Sequence, residues 1–266
     1  MGRETKPGAG YWRRQGWALL PFGIWGAYIA FFALHIFVRS YADEFFPWRS
    51  PQAVDRSFTG TNPSLWLQSH LAGKSFALDR AATGAHLSWF AFPFLVALVI
   101  TVCRRELLVK YFCWLTVAWF ACDALFFLLP TRPPWMVDDS VQRLLLSRGW
   151  VDYAGVDTNP VAAFPSLHVC IPSVIGLFVW VNWRRGRWLA WTSWVYAGFI
   201  GFSVVYLGEH WVIDVVGGTA MAAIVAYALS HVRKVPAFAE SRATDEPMHR
   251  PGSGGVLRKF DDGEAA

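Results

Sequence analysis

"WALLPFGIWGAYIAFFALHIFV", Trp17–Val38, is a run of 22 residues without one Asp, Glu, Lys or Arg. A helix crossing the hydrocarbon core of a bilayer needs roughly 20 mostly apolar residues, with a lower limit near 17. The run meets that length, and others follow it. Leu87–Val102 is the second, and Tyr111–Leu129, interrupted only by Asp123, is the third. Leu167–Val181, Trp188–Leu207 and Trp211–Leu229 complete the series, the last enclosing Asp214. The pattern predicts an all-α, polytopic integral membrane protein with six transmembrane helices in a bundle. The first run is too long for a cleaved signal peptide and is followed by too many others.

Composition points the same way. The chain is 55% hydrophobic and only 16% charged, against about 45–50% and about 25% in an ordinary soluble domain. The basic residues also give an orientation, because short cytoplasmic loops collect Lys and Arg. Arg3, Lys6, Arg13 and Arg14 precede the first run, and Arg104, Arg105 and Lys110 join the second to the third. Arg184, Arg185 and Arg187 join the fourth to the fifth, and Arg233 and Lys234 follow the sixth. These regions alternate onto one side, which places both termini in the cytoplasm. The net charge of +5 is therefore a topology signal, and nucleic-acid binding is not needed to explain it.

The expected organisation is a cytoplasmic segment 1–16, a six-span membrane domain 17–235, and a polar, disordered cytoplasmic tail 236–266. Residues 39–86, where Trp48 and Trp66 stand among Pro and Gly, are read as a surface-lying cover. Cys103, Cys113, Cys122 and Cys170 lie in or beside the runs at spacings that match no metal site. Oligomeric state leaves no trace in the sequence.

Ionisable residues at membrane depth are costly and usually functional. Here they gather at one end of the map. Arg132 lies in "LPTRPPW" beyond the third run, and His168 opens the fourth. Ser203 is near the end of the fifth, and His210 and Asp214 open the sixth. His210 and Asp214 are four apart, which on a helix puts them on one face. A carboxylate so placed orients one imidazole nitrogen and leaves the other free to attack. Pro165 and Ser166 read as a helix start whose free N–H groups suit an anion, with His168 beside it in the first turn. Arginine's planar fork suits phosphate oxygens, and Pro130, Pro133 and Pro134 stiffen its loop. Asp123 is left with two possible partners, Arg132 or a residue of another span.

This set resembles the type 2 phosphatidic acid phosphatase superfamily, whose three motifs read KxxxxxxRP, PSxH and SRxxxxxHxxxD. Pro165-Ser166-Leu167-His168 matches the second motif. Ser203, His210 and Asp214 match the third in spacing, and Arg132-Pro133 matches the end of the first. The resemblance spans about residues 87–230. It departs at two basic positions, which fall on Leu125 and Val204. The sequence variants look closest to the branch that includes fungal inositol phosphorylceramide synthase.

The resemblance implies that His210 attacks phosphorus, that Asp214 orients it, and that His168 protonates the leaving oxygen. Arg132, Ser166 and Ser203 would hold the phosphoryl oxygens, with no metal and no other cofactor. The partner would be a lipid phosphate or phospholipid, handled at the extracytoplasmic face of the plasma membrane. Hydrolysis is the first expectation and transfer of a phospho-headgroup, of the inositol phosphate type, the second. A transporter would also use intramembrane His and Asp, but its polar groups would cross the membrane and would not crowd one face. A catalytically silent scaffold that keeps the motifs is the remaining class.

Overall fold

The computed structural model describes residues 9–41, 45–147 and 161–231, with side chains from residue 21 onward except 146 and 147. Of the segment read as 1–16, residues 1–8 lie outside the described residues and the rest belongs to the first helix; the tail 236–266 lies outside them as a whole. Among those described, all regular structure is helical. The order is α1 (Ala9–Arg39), α2 (Gln52–Thr59), α3 (Pro63–Leu71), α4 (Phe76–Ser88), α5 (Phe92–Cys103) and α6 (Leu108–Leu128). Then come α7 (Leu144–Ser147), α8 (Leu167–Asn182), α9 (Arg187–Tyr206) and α10 (Val212–His231). Two isolated bridges, Arg49 to Thr131 and Thr131 to Ala162, are the only β pairing among the described residues.

Four of these helices contain stretches long and apolar enough to cross a membrane: Pro21–Arg39, Arg105–Leu128, Arg184–Tyr206 and Val212–His231. The pair α4 and α5 adds a fifth if counted as one broken span, bent by 61°. The bend falls inside the second run of the sequence, and Pro93 accounts for it. Proline supplies no N–H to the carbonyl four residues back, here that of Trp89, and its ring crowds that carbonyl. The fourth run is α8, a helix of 16 residues, shorter than the other candidates. Exposed apolar side chains such as Val195, Ile224 and Tyr227 cover the outer faces of α9 and α10, Val195 being 71% exposed. Outward-facing apolar surface on long apolar helices is consistent with a membrane protein.

The short α8 is the centre of the bundle. It packs against α9, α10 and α6, and nearly every side chain from Leu167 to Val179 is buried. Ile171, Val174 and Ile175 share one core with Leu115, Ala118 and Trp119 of α6. Phe178 meets Tyr111 and Trp114 edge-on, with both centroid separations 5.4 Å. On the other side of α6, Tyr28 of α1 stacks on Phe112 at 4.1 Å. Two turns toward the end of α1, His35 Nδ1 lies 2.8 Å from Asp123 Oδ2, both residues buried. Asp123 therefore pairs with another span and not with Arg132.

Glycine decides how closely α10 approaches the start of α8. A Cβ on Gly218 would lie 2.4 Å from the Ser166 carbonyl oxygen, a distance no real side chain tolerates. The bare α-carbon lets two backbones touch where a larger residue would hold them apart. Through this contact the fold joins "PSLH" to "HWVID".

Candidate active site

The Ser166 N–H donates to the Asp214 carbonyl at 2.9 Å, so the entrance of α8 is hydrogen-bonded to the first turn of α10. Ser166 is the N-cap residue of α8, as the sequence indicates. Its hydroxyl makes no capping bond and is buried without a partner among the described residues.

His210 is not on the helix with Asp214. It occupies the turn before α10, two residues ahead of Val212. Gly208, with φ +82, makes that turn. Arg143 grips its Glu209 with two bonds, Nε at 2.8 Å and Nη2 at 3.1 Å. Asp214 reaches backward instead. Its Oδ2 accepts the Trp211 N–H at 2.9 Å and lies 3.3 Å from His210 Nδ1. The carboxylate thus acts as the third-position member of a capping box while it faces the imidazole. The expected pairing is present, made by a different local geometry.

His168 Nδ1 lies 3.1 Å from His210 Nε2, so three side chains form a chain, Asp214 to His210 to His168. With an ionised Asp214, His210 carries its proton on Nδ1 and presents a bare Nε2. That lone pair then accepts the Nδ1–H of His168. A phosphorus atom bonded to Nε2 does not fit within a 3.1 Å contact, so attack requires the two rings to part. His168 Nε2 and Asp214 Oδ1 are buried without hydrogen-bond partners among the described residues. Buried polar atoms ordinarily have partners, and groups left without one mark functional sites.

Arg132 is positioned by its backbone. Its N–H donates to the Arg49 carbonyl at 2.9 Å, and the neighbouring Thr131 N–H donates to Val161 at 2.7 Å. The Arg132 carbonyl accepts the Trp211 indole N–H at 2.7 Å, which ties this loop to the residue after His210. The guanidinium stacks over Trp48 at 4.1 Å, and its Nε is buried without a partner among the described residues. Ser203 is buried, but its hydroxyl donates to the Phe199 carbonyl of its own helix at 2.8 Å. Its proton is engaged within its own helix and is not offered to the cluster.

The structure adds residues that the sequence did not single out. His86 of α4 stacks on His168 at 4.4 Å, and Trp89 lies 4.6 Å from the same ring. The positive charges of Arg39 and Arg143 act on His86, and that of Arg39 also acts on His168. No sequence spacing signals these residues, because α1 and α4 reach the site only through the bundle. Among the described residues no group of three or more His, Cys, Asp or Glu is arranged to hold a metal ion. An open apolar groove of about 430 Å³, between α3, α9 and the start of α10, is lined by Thr59, Trp66, Leu67, Phe202, Val205 and Val212, among others.

Comparison with protein-family models matches residues 52–228 to the PAP2 superfamily. The chain belongs to the PAP2 superfamily. Neither the curated proteins nor the solved structures give a match. Membership brings a phosphatase or phosphotransferase type of activity on phosphoric esters. The PAP2 match opens at residue 52, well before residue 87, and so takes in α2, α3 and α4 with His86. It leaves α1 outside.

Proposed function

We propose that this chain is an integral membrane lipid phosphate phosphohydrolase that works through a phosphohistidine at His210, without metal. The observation that carries the proposal is the buried chain Asp214–His210–His168 in a member of the PAP2 superfamily. In the first step His210 Nε2 attacks phosphorus, the N–P bond forms and the ester P–O bond breaks. His168 enters this step as the imidazolium and gives its Nε2 proton to the leaving alkoxide. In the second step water attacks phosphorus, His168 takes the water's proton at Nε2, the N–P bond breaks, and phosphate departs with His210 restored. Arg132 and Ser166 hold the phosphoryl oxygens, where fixed donors supply most of the catalysis, while the Ser203 hydroxyl is engaged by the Phe199 carbonyl. The apolar groove beside Val212 supports a substrate with a hydrocarbon tail.

The topology proposed with this function has six spans, counting the bent pair as one and the short α8 as another. The termini are cytoplasmic and the site opens on the outer face of the plasma membrane. A second reading rests on Leu125 and on Val204, a fully buried core residue, at two positions that are basic in the motifs. With fewer cations for a dianionic monoester, a singly charged phosphodiester becomes an acceptable donor. The reaction is then headgroup transfer, as in the branch resembling fungal inositol phosphorylceramide synthase.

Purified protein in lipid nanodiscs, given phosphatidic acid and other lipid phosphates, should release inorganic phosphate, and His210→Ala should release none. No release from any lipid phosphate, or undiminished release by the variant, contradicts the proposal.

A further inference from the structure

The start of α10 carries three successive backbone N–H groups, those of Trp211, Val212 and Ile213, and two carboxylates take all three. Asp214 Oδ2 accepts from Trp211. Asp55, from α2 on the outer side of the bundle, accepts from Val212 at 2.8 Å through Oδ2 and from Ile213 at 3.0 Å through Oδ1. Asp55 is only 1% exposed, although α2 is otherwise mostly polar and exposed. Its burial pushes the carboxyl up from its ordinary range, the two N–H donors pull it back, and the nearby charge of Asp214 pushes it up again.

An aspartate at the third position of a helix is drawn to the free N–H groups of its own first turn. Asp214 is in that position, and its carboxylate also has to face His210 Nδ1. If the Val212 and Ile213 donors were free, they would compete with His210 for it. Asp55 occupies both donors. We infer that Asp55 is a positioning residue that keeps the Asp214 carboxylate on His210 by saturating the competing donors of α10. This deepens the reading of His210 as the nucleophile and rests on it for its consequence in catalysis. The geometric part stands by itself.

The test uses the full chain in nanodiscs, as wild type, Asp55→Ala and Asp55→Asn. Three quantities are measured: the His210 ring tautomer by ¹⁵N NMR, kcat and KM for lipid phosphate hydrolysis, and Tm. Asp55→Ala is expected to shift His210 away from the Nδ1–H tautomer and lower kcat ten- to a hundredfold, with KM changed less than twofold. Asp55→Asn keeps one acceptor oxygen and should recover part of both losses. It also carries the test alone if the alanine variant does not fold. A lower Tm with wild-type tautomer and wild-type kcat means a purely structural cap, and overturns the inference. If the wild type hydrolyses no lipid phosphate, the tautomer decides. A shift upholds the positioning role while the proposed function falls, and an unchanged tautomer overturns the role as well.

Discussion

His210 is held from both sides, by Asp214 on Nδ1 and by His168 on Nε2, and each contact makes a different demand on the rate. Asp214→Asn offers an amide where the carboxylate stood and can favour the wrong tautomer. It should lower kcat by about 10²–10⁴, with Tm close to wild type, measured by phosphate release and thermal unfolding in nanodiscs. His168→Ala should be slow with natural lipid leaving groups and partly recover with a phenolic phosphate, whose leaving group needs no proton. Equal loss with both substrates would remove His168 from the role of acid. The short motifs made these three residues legible, because each motif is local. What was not legible depends on distance through space. Ser203 fits its motif position, yet its hydroxyl bonds to Phe199 one turn back, a choice that spacing does not reveal. His86 and Asp55 belong to no motif, and only folding brings them against His168 and α10.

At the scale of elements, close backbone packing and one buried hydrogen bond hold the helices together. Gly218→Ala would place a methyl group against the Ser166 carbonyl and push α10 from α8. A cost of about 1–3 kcal/mol is expected for this overpacking, with a fall in kcat because Ser166 and Asp214 move apart. Gly198→Ala, whose Cβ would meet nothing within 4 Å, is the control and should be neutral or slightly stabilising. The His35–Asp123 pair joins α1, outside the family match, to α6. Asp123→Ala leaves a buried imidazole without its acceptor and should cost about 1–3 kcal/mol, read as a lower Tm. A paired His35→Leu, Asp123→Leu variant should recover most of that loss. The apolar runs announced the long helices well, since length and hydropathy are local properties. The 61° break before Pro93 was less visible, whereas the shortness of α8 was already plain in its run Leu167–Val181. A proline inside an apolar run reads equally as a helix start, and a centrally buried helix need not match bilayer thickness.

At the scale of the whole molecule, the sidedness proposed from the positive loops can be measured on intact cells. In a background without the four native cysteines, Lys74→Cys should react with an impermeant thiol reagent and Arg185→Cys should not. The reverse pattern would invert the proposed topology. The choice between hydrolysis and transfer also belongs here, because it depends on whether water or an alcohol enters the opened site. With labelled phospholipid and rising inositol, label moving into a new phosphodiester as free phosphate falls would favour transfer. Under the proposed mechanism both reactions pass through the same covalent intermediate, so the most direct measurement traps it. The protein is mixed with ³²P-labelled lipid phosphate, quenched in alkali within milliseconds, and digested for peptide mapping. The expected result is an alkali-stable, acid-labile phosphoramidate on the peptide containing His210, absent from His210→Ala and accumulating in Asp214→Asn only at its reduced rate. Substrate turnover with no label on His210, or label that persists in His210→Ala, would contradict the phosphohistidine mechanism.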